Sequence, residues 1–219
     1  MISILMPIYN GIEFIDESVS SILNQTYPHW ELIIGINGHD KNSTVYQIAE
    51  KYKERNDNIK VFDFYHLKGK SVTLNEMIPY CKYNYIGLLD VDDIWDEKKL
   101  ELQSPFLNTY DVIGTQCIYF GEMNLMPKIP SGDLKNQDFF LFNPIINSSC
   151  LLRKELCHWD KKYDGVEDYH LWLTLKKQRY SFYNCKEVLV KHRIHQQSSF
   201  NAKGNNNMVK DLLNYHRYN

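Results

Sequence analysis

Strand-like and helix-like segments alternate four times within the first 95 residues, joined by connections of only a few residues. Ile2-Ser3-Ile4-Leu5-Met6-Pro7-Ile8, Glu31–Ile36 and Ile59–Phe64 are short, largely apolar and β-branched runs, the pattern of strands buried on both faces. Between them, Ile12–Asn24 carries Ile12, Ile15, Val19, Ile22 and Leu23 at helical spacing, and Ser43–Glu54 carries Val45, Ile48, Ala49 and Tyr52. Ser71–Tyr80 reads as a third helix, limited by Pro79, and Tyr85–Leu89 as a fourth strand. Parallel neighbours need a crossover connection, so repeated βαβ units predict an α/β fold. Its central sheet is expected to be mostly parallel, with helices on both faces.

The second half is less regular. A helix is expected over Glu97–Leu107, extended chain over Asp111–Gly121, and a loop or lid from Glu122 to Asp138, punctuated by Pro127, Pro130 and Gly132. Ile145–Leu152 reads as a strand, Glu167–Lys177 as a helix, and Tyr180–Tyr183 and Glu187–Ile194 as two extended segments. Asn201–Asn207 is polar and is expected to be flexible, with a short final helix over Met208–His216.

Composition removes several function classes. A formal charge of −2 gives no basic surface for nucleic acid. Five widely spaced cysteines without a Cys-x-x-Cys pair imply neither a zinc site nor a disulfide scaffold. No apolar run approaches the ~20 residues of a membrane span, and no cleavable leader is evident at the amino terminus. The expectation is a soluble, cytoplasmic protein, with peripheral membrane association left open.

The chemistry concentrates in Leu89-Asp90-Val91-Asp92-Asp93-Ile94-Trp95, where a buried strand delivers three carboxylates within four residues. Two unit charges 4 Å apart repel by roughly 4 kcal/mol at an effective dielectric near 20. Either water screens such a cluster, as in a solvated acidic turn, or a cation neutralises it. The carboxyl end of a strand in an open α/β sheet is where ligands bind, which suits a hard divalent cation.

An ordered set of motifs surrounds this turn. Met6-Pro7-Ile8-Tyr9-Asn10-Gly11 is followed by Ser21–Pro28, Glu31–Ile34, Gly69-Lys70-Ser71 with Asn75, the acidic turn, Glu167-Asp168-Tyr169 and Arg193-Ile194-His195. The set resembles the family 2 glycosyltransferases of the GT-A fold, inverting enzymes that use nucleotide-sugar donors. The likeness spans residues 2 to about 200. It implies one catalytic domain over 1–200, with a nucleotide-binding half (1–95), an acceptor-side half (96–200), and a polar tail with a short helix (201–219).

The resemblance implies that Asp90 meets the nucleoside, and that Asp92 ligates a Mn²⁺ or Mg²⁺ on the donor's diphosphate, joined by His195. Asp168 corresponds to the general base, and Glu167 beside it to a substrate-binding residue. Pro7 and Tyr9 would begin the nucleotide pocket, Asn37 would read a base edge, and Lys70, Asn75 and Arg193 would reach the nucleotide or its phosphates. The same residue types fit blander roles. Tyr9 suits a core, Asn37-Gly38 a tight turn, Lys70 a solvated surface, and Glu167-Asp168 a helix amino terminus. Asp93 fits metal ligation, acceptor binding, support of the neighbouring ligands or a helix start, with ligation the less favoured role. Asn37 departs from the family's usual Asp, which opens the identity of the nucleotide, with a UDP-sugar favoured. No Gln-x-x-Arg-Trp motif occurs, so the resemblance implies single additions to a glycan, protein or lipid acceptor. The alternatives are a sugar-phosphate nucleotidyltransferase, whose Gly-rich loop after the first strand is missing, and an inactive sugar-nucleotide-binding module.

Overall fold

The computed structural model describes residues 1–196 and 205–218. Its first half runs β1 (Ile2–Ile8), α1 (Ile15–Leu23), β2 (Trp30–Asn37), α2 (Thr44–Glu50), β3 (Ile59–Phe64), α3 (Lys70–Met77) and β4 (Tyr85–Leu88). The second half continues β5 (Ile94–Trp95), α4 (Lys99–Gln103), β6 (Val112–Gly121), β7 (Gly132–Asp133) and β8 (Leu151–Arg153). It closes with α5 (Glu167–Lys177), β9 (Phe182–Ile194) and α6 (Asn205–Tyr218). One sheet takes the order β3-β2-β1-β4-β8-β6-β9-β5, with β7 also on β9. The long ladders (β1 with β2 and β4, β2 with β3, β6 with β9) are parallel.

Side chains alternate across the sheet with the period of two that a pleated strand imposes. Ile4, Met6, Leu32 and Ile34 face α1, α2 and α4, where Ile15, Val19, Ala49 and Leu100 are buried. Leu5 and Ile33 face the other layer, built from Leu74 and Met77 of α3, Leu171 and Trp172 of α5, and Leu212 of α6. Each such side chain contributes about 1.5–3 kcal/mol by leaving water. Among the described residues no helix is long and apolar enough to cross a membrane.

Several elements differ from the sequence-based expectation. The strand expected over Ile145–Leu152 is a 3-10 turn at Asn147–Ser149 followed by β8. The Ser149 hydroxyl donates to Ile146 O at 2.7 Å, a local bond that competes with a ladder. The two extended segments after Tyr180 are one strand, β9, and the polar break at Lys186-Glu187 is a register irregularity opposite Thr115–Cys117. The helix expected over Glu97–Leu107 is shorter, α4 giving way to a 3-10 turn at Ser104–Phe106 where Pro105 lacks an N–H. The final helix starts at Asn205, and of the segment expected to be flexible, 201–204 lies outside the described residues.

The topology decides where a ligand can sit. The chain builds outward from β1 to β2 and β3, then returns to place β4 on the other side of β1. A crevice opens outside the carboxyl ends of strands at such a reversal. Because β8 is antiparallel to both β4 and β6, the carboxyl ends of β6 and β9 join the same rim.

Candidate active site

A cleft of about 450 Å³ occupies the reversal. Its lining comes from the end of β1 (Pro7, Tyr9, Asn10, Gly11), the end of β2 (Asn37, Gly38), the loop into α3 (Lys68, Gly69, Lys70), the turn after β4 (Asp90, Val91, Asp92), and His192 and His195. On one wall, Gly38 has φ +75°, and a Cβ there would stand 2.7 Å from the Tyr9 ring. Only glycine admits that approach. It brings Tyr9, 56% exposed, against the buried Asn37 end of β2. The His39 ring lies 5.4 Å from the Tyr9 ring.

The loop into α3 depends on a carboxylate far away in sequence. Asp164 Oδ1 accepts the Ser71 N–H at 2.8 Å, and Gly69, at φ +111°, leaves room that a Cβ would take from Asp164 Oδ2. So held, Lys70 reaches inward. Its Nζ stands 2.6 Å from Asp90 Oδ1 and 3.4 Å from Glu167 Oε1. Burial opposes the ammonium's charge, but the carboxylates of Asp90, Glu167 and Asp168 outweigh it and hold the pKa above the ordinary lysine value. Burial likewise opposes the charge on Asp90. Lys70 and the Asn147 amide, 3.1 and 3.3 Å from its oxygens, win and hold its carboxyl below the usual range.

The acidic turn is fastened to β9. Asp93 is fully buried; it accepts the Arg193 N–H at 2.8 Å and meets His192 Nδ1 at 2.9 Å. Burial opposes protonation of His192, but Asp93 and then Asp90 and Asp92 raise its pKa to about 9, so the ring carries a positive charge at neutral pH. Asp92 Oδ2 lies 3.0 Å from His195 Nε2. Burial, followed by repulsion from Asp93 and Asp90, pushes the Asp92 carboxyl up to about 6. Asp168, at the start of α5, is also pushed up to about 6, by burial and then Glu167. Its Oδ1 accepts the Tyr169 N–H at 2.7 Å and its Oδ2 an Asn143 N–H at 3.2 Å.

Of the residues singled out in the sequence, Pro7, Tyr9, Asn37, Lys70, Asp90, Asp92 and His195 line one cleft. Glu167 joins them through Lys70, with Asp168 next to it on α5. Asn75 and Arg193 stand elsewhere. The Asn75 side chain bonds both ways to the Trp159 backbone, at 2.7 and 3.0 Å. Arg193 is held between the rings of Phe14 and Phe120, donates from Nε to Asp92 O at 2.9 Å, and pairs with Glu17 at 3.0 Å. It braces the turn from behind. Sequence reasoning missed the supporting roles of Asn143, Asn147 and Asp164, and left that of Asp93 among several alternatives. Single loop Asn and Asp residues carry no periodic signal, and only Asp93 stood inside a recognisable cluster.

Chemically, the cleft sets a buried carboxylate cluster beside a lysine ammonium at a strand-end crevice, with a second, separately held carboxylate on α5. Residues 3–157 match the family model described as Glycosyl transferase family 2. The chain is a family 2 glycosyltransferase. Among its relatives is the O-antigen biosynthesis glycosyltransferase WbnJ of Escherichia coli, 30% identical, with the match covering 91% of this chain and 82% of that protein. Another is the E. coli UDP-Glc:alpha-D-GlcNAc-diphosphoundecaprenol beta-1,3-glucosyltransferase WfgD, also 30% identical over 90% of this chain and 79% of its own length. Among solved structures, S. aureus TarS 1-349 in complex with UDP-GlcNAc superposes with a TM-score of 0.77 at 16% identity, over all of this chain and 66% of that one. The mannosyltransferase PcManGT from Pyrobaculum calidifontis, in complex with GDP-Man and Mn2+, gives 0.69 at 14% identity, over 90% of this chain and 58% of that one. The glycosyltransferase therefore has the GT-A fold.

Proposed function

We propose that the glycosyltransferase moves one sugar from a UDP-sugar to an acceptor hydroxyl with inversion at the anomeric carbon, with a divalent cation on the diphosphate and Asp168 as general base. The observation that carries the reading is the division of the site. Asp90, Asp92 and Lys70 line the donor cleft, while a second carboxylate, Asp168, is held apart on α5 with its pKa raised to about 6. A base with a pKa slightly below the working pH combines availability with proton affinity. Asp168 would take the acceptor hydroxyl's proton as that oxygen attacks opposite the leaving diphosphate.

The donor set suits Mn²⁺ or Mg²⁺. Asp92 Oδ2 and His195 Nε2 are 3.0 Å apart at the cleft. One carboxylate and one imidazole leave the remaining positions to phosphate oxygens and water, as Mg²⁺ prefers. Burial and then carboxylate repulsion raise the Asp92 pKa, and a cation would relieve the repulsion. Such a cation supplies Lewis-acid stabilisation of the charge developing on the leaving diphosphate. Lys70, paired with Asp90, would lend its positive charge to the same end of the donor.

Asn37 is compatible with UDP, since its amide offers a donor and an acceptor side by side to the N–H and C=O of a uracil edge, a pattern that thymine and the N1–H and O6 of guanine share. The relatives favour UDP. WfgD is named for UDP-Glc, and TarS was solved with UDP-GlcNAc. The WfgD name also makes a diphospho-lipid-linked sugar the first acceptor class to try.

A thermal-shift panel of UDP, GDP, dTDP and CDP, each with and without Mn²⁺, tests the donor side. Stabilisation by UDP that requires metal is expected, and indifference to every pair would sink the reading. On the acceptor side, Asp168→Asn should lower turnover by 10²–10⁴-fold with donor binding intact. Near-normal turnover would remove Asp168 from the chemistry.

A further inference from the structure

One strap of chain holds a carboxylate on each side of the site. Asn147 donates to both oxygens of Asp90, and Asn143, four residues earlier, donates from Nδ2 to Asp168 Oδ2 at 3.2 Å. The strap is firmly seated. Ile145 is fully buried, the Asp90 N–H donates to Ser148 Oγ at 3.0 Å, and Trp95 Nε1 donates to Ser148 O at 2.7 Å. The orientation of the Asn143 amide follows from its own turn. Its Oδ1 accepts the Ile145 N–H at 3.2 Å, which leaves Nδ2, the donor that a carboxylate requires, towards Asp168.

Asp168 thus receives one N–H on each oxygen, from Tyr169 and from Asn143. Rotation of the carboxylate would break both bonds. An ionised carboxylate has about four lone-pair sites, so about two remain for an incoming hydroxyl. The Tyr169 N–H is backbone of the same helix and moves with Asp168. Asn143 ties the carboxylate to a separate element.

We propose that Asn143 is a positioning residue for this reaction, its amide aiming the Asp168 carboxylate and favouring its ionised form. The inference rests on Asp168 being the base. The other groups acting on Asp168 are Glu167 and Tyr169 on α5, Lys70 on α3, and the buried Cys150 thiol beyond the strap. Glu167 raises the Asp168 pKa, while Lys70, the Tyr169 N–H and the Asn143 amide lower it. Loss of the amide leaves burial and Glu167 less opposed.

The test uses Asn143→Ala, the near-isosteric Asn143→Asp and, for comparison, Asn147→Ala. Carbon-13 NMR titration of Asp168 is followed in each, together with pH profiles of UDP release from the UDP-sugar that turns over. Asn143→Ala should raise the Asp168 titration by about one pH unit. From about 6, that lowers the ionised fraction at pH 7 from roughly nine-tenths to roughly half. Misaiming adds to this, for a total kcat loss of about 10- to 100-fold with donor KM little changed. Asn143→Asp, which sets a like charge beside the base, should shift the titration further. Asn147→Ala should instead raise donor KM. An unmoved Asp168 titration in both Asn143 variants overturns the proposal, and so does an unchanged kcat with an unmoved acid limb. If Asp168→Asn keeps its turnover, the base assignment fails. If that variant is inactive while the Asn143 variants behave as the parent, the role of Asn143 alone fails.

Discussion

Lys70→Met should separate the electrostatic role of this lysine from its packing, since methionine keeps most of the stem. At an effective dielectric near 20, the 2.6 Å contact with Asp90 is worth roughly 6 kcal/mol and the 3.4 Å contact with Glu167 roughly 5 kcal/mol before desolvation. Desolvation offsets most of that. The Lys70 and Asp90 side chains keep 30% and 23% exposure, so water also screens the pair. Breaking a fully buried pair costs about 3–5 kcal/mol, so about 2 kcal/mol is expected at pH 7. For a chain of this size that is a fall in Tm of about 4–8 °C. The sign with pH follows from Asp90. Its folded pKa lies below the ordinary aspartate value of 3.8, so the stability it contributes is present above that value and lost as pH falls through the folded one. Without Lys70 the clustered carboxylates also take up protons more readily. The gap between parent and variant should therefore be largest at pH 7, narrow towards pH 4, and close only below the ordinary aspartate value. Adding Glu167→Gln should make the loss of Lys70 cheaper, since one of the stranded charges is gone. Calorimetry of the four proteins at pH 7, 5.5 and 4 decides it. A variant melting within a degree of the parent at pH 7, or a gap that widens on acidification, would rule out this electrostatic role for Lys70.

Two more expectations concern buried basic groups away from the cleft. Lys99 is fully buried, 3.9 Å over the Trp95 ring with Nζ on Gln103 Oε1 at 2.7 Å, and burial pulls its pKa down to about 7. The unfolded chain then holds more protons between pH 7 and 10, so stability rises with pH across that window. Lys99→Met should be more stable than the parent at pH 7, by a margin that shrinks towards pH 10; a constant margin in urea melts at the two pH values contradicts this. His170 Nδ1 and His216 Nε2 meet at 2.9 Å where α5 packs on α6, and burial followed by His216 lowers His170 to about 4. Burial also lowers His216. A depressed histidine pKa contributes stability that is complete above about 6.5 and lost as pH falls through about 4. Amides of α6 should exchange faster at pH 4.5 than at pH 7 after correction for intrinsic rates, and His170→Phe should flatten that dependence.

The sequence was most legible where one physical signal dominated. β1, β3 and α5 begin and end where apolar period and chain-breaking residues put them. Periodicity does not register a strand of two residues such as β5, nor the joining of two extended segments across the irregularity in β9. In the site, the Asp90–Asp93 cluster announced itself through its charge density. Which distant groups meet it was not readable. Nothing local in Asn147 points to Asp90, or in Asp164 to the amino terminus of α3, because each contact depends on how separate elements pack. Arg193 shows the converse, since its residue type suited a diphosphate while its surroundings hold it against two phenylalanines and Glu17.

The fastening of the acidic turn to β9 has a consequence for how the protein matures. Asp93 precedes its partner Arg193 by 100 residues, and Asp92 precedes His195 by 103. Closing a loop of that length is only modestly costlier than closing a short one, but non-local pairing of this kind is slow. A chain emerging from the ribosome can assemble β1–β4 and their helices while Asp92 and Asp93 still await these partners. Carboxylate repulsion in the turn then persists until β9 arrives. The nucleotide-side scaffold can thus precede a working site by many seconds of synthesis, and competence should appear abruptly, with the arrival of one late strand.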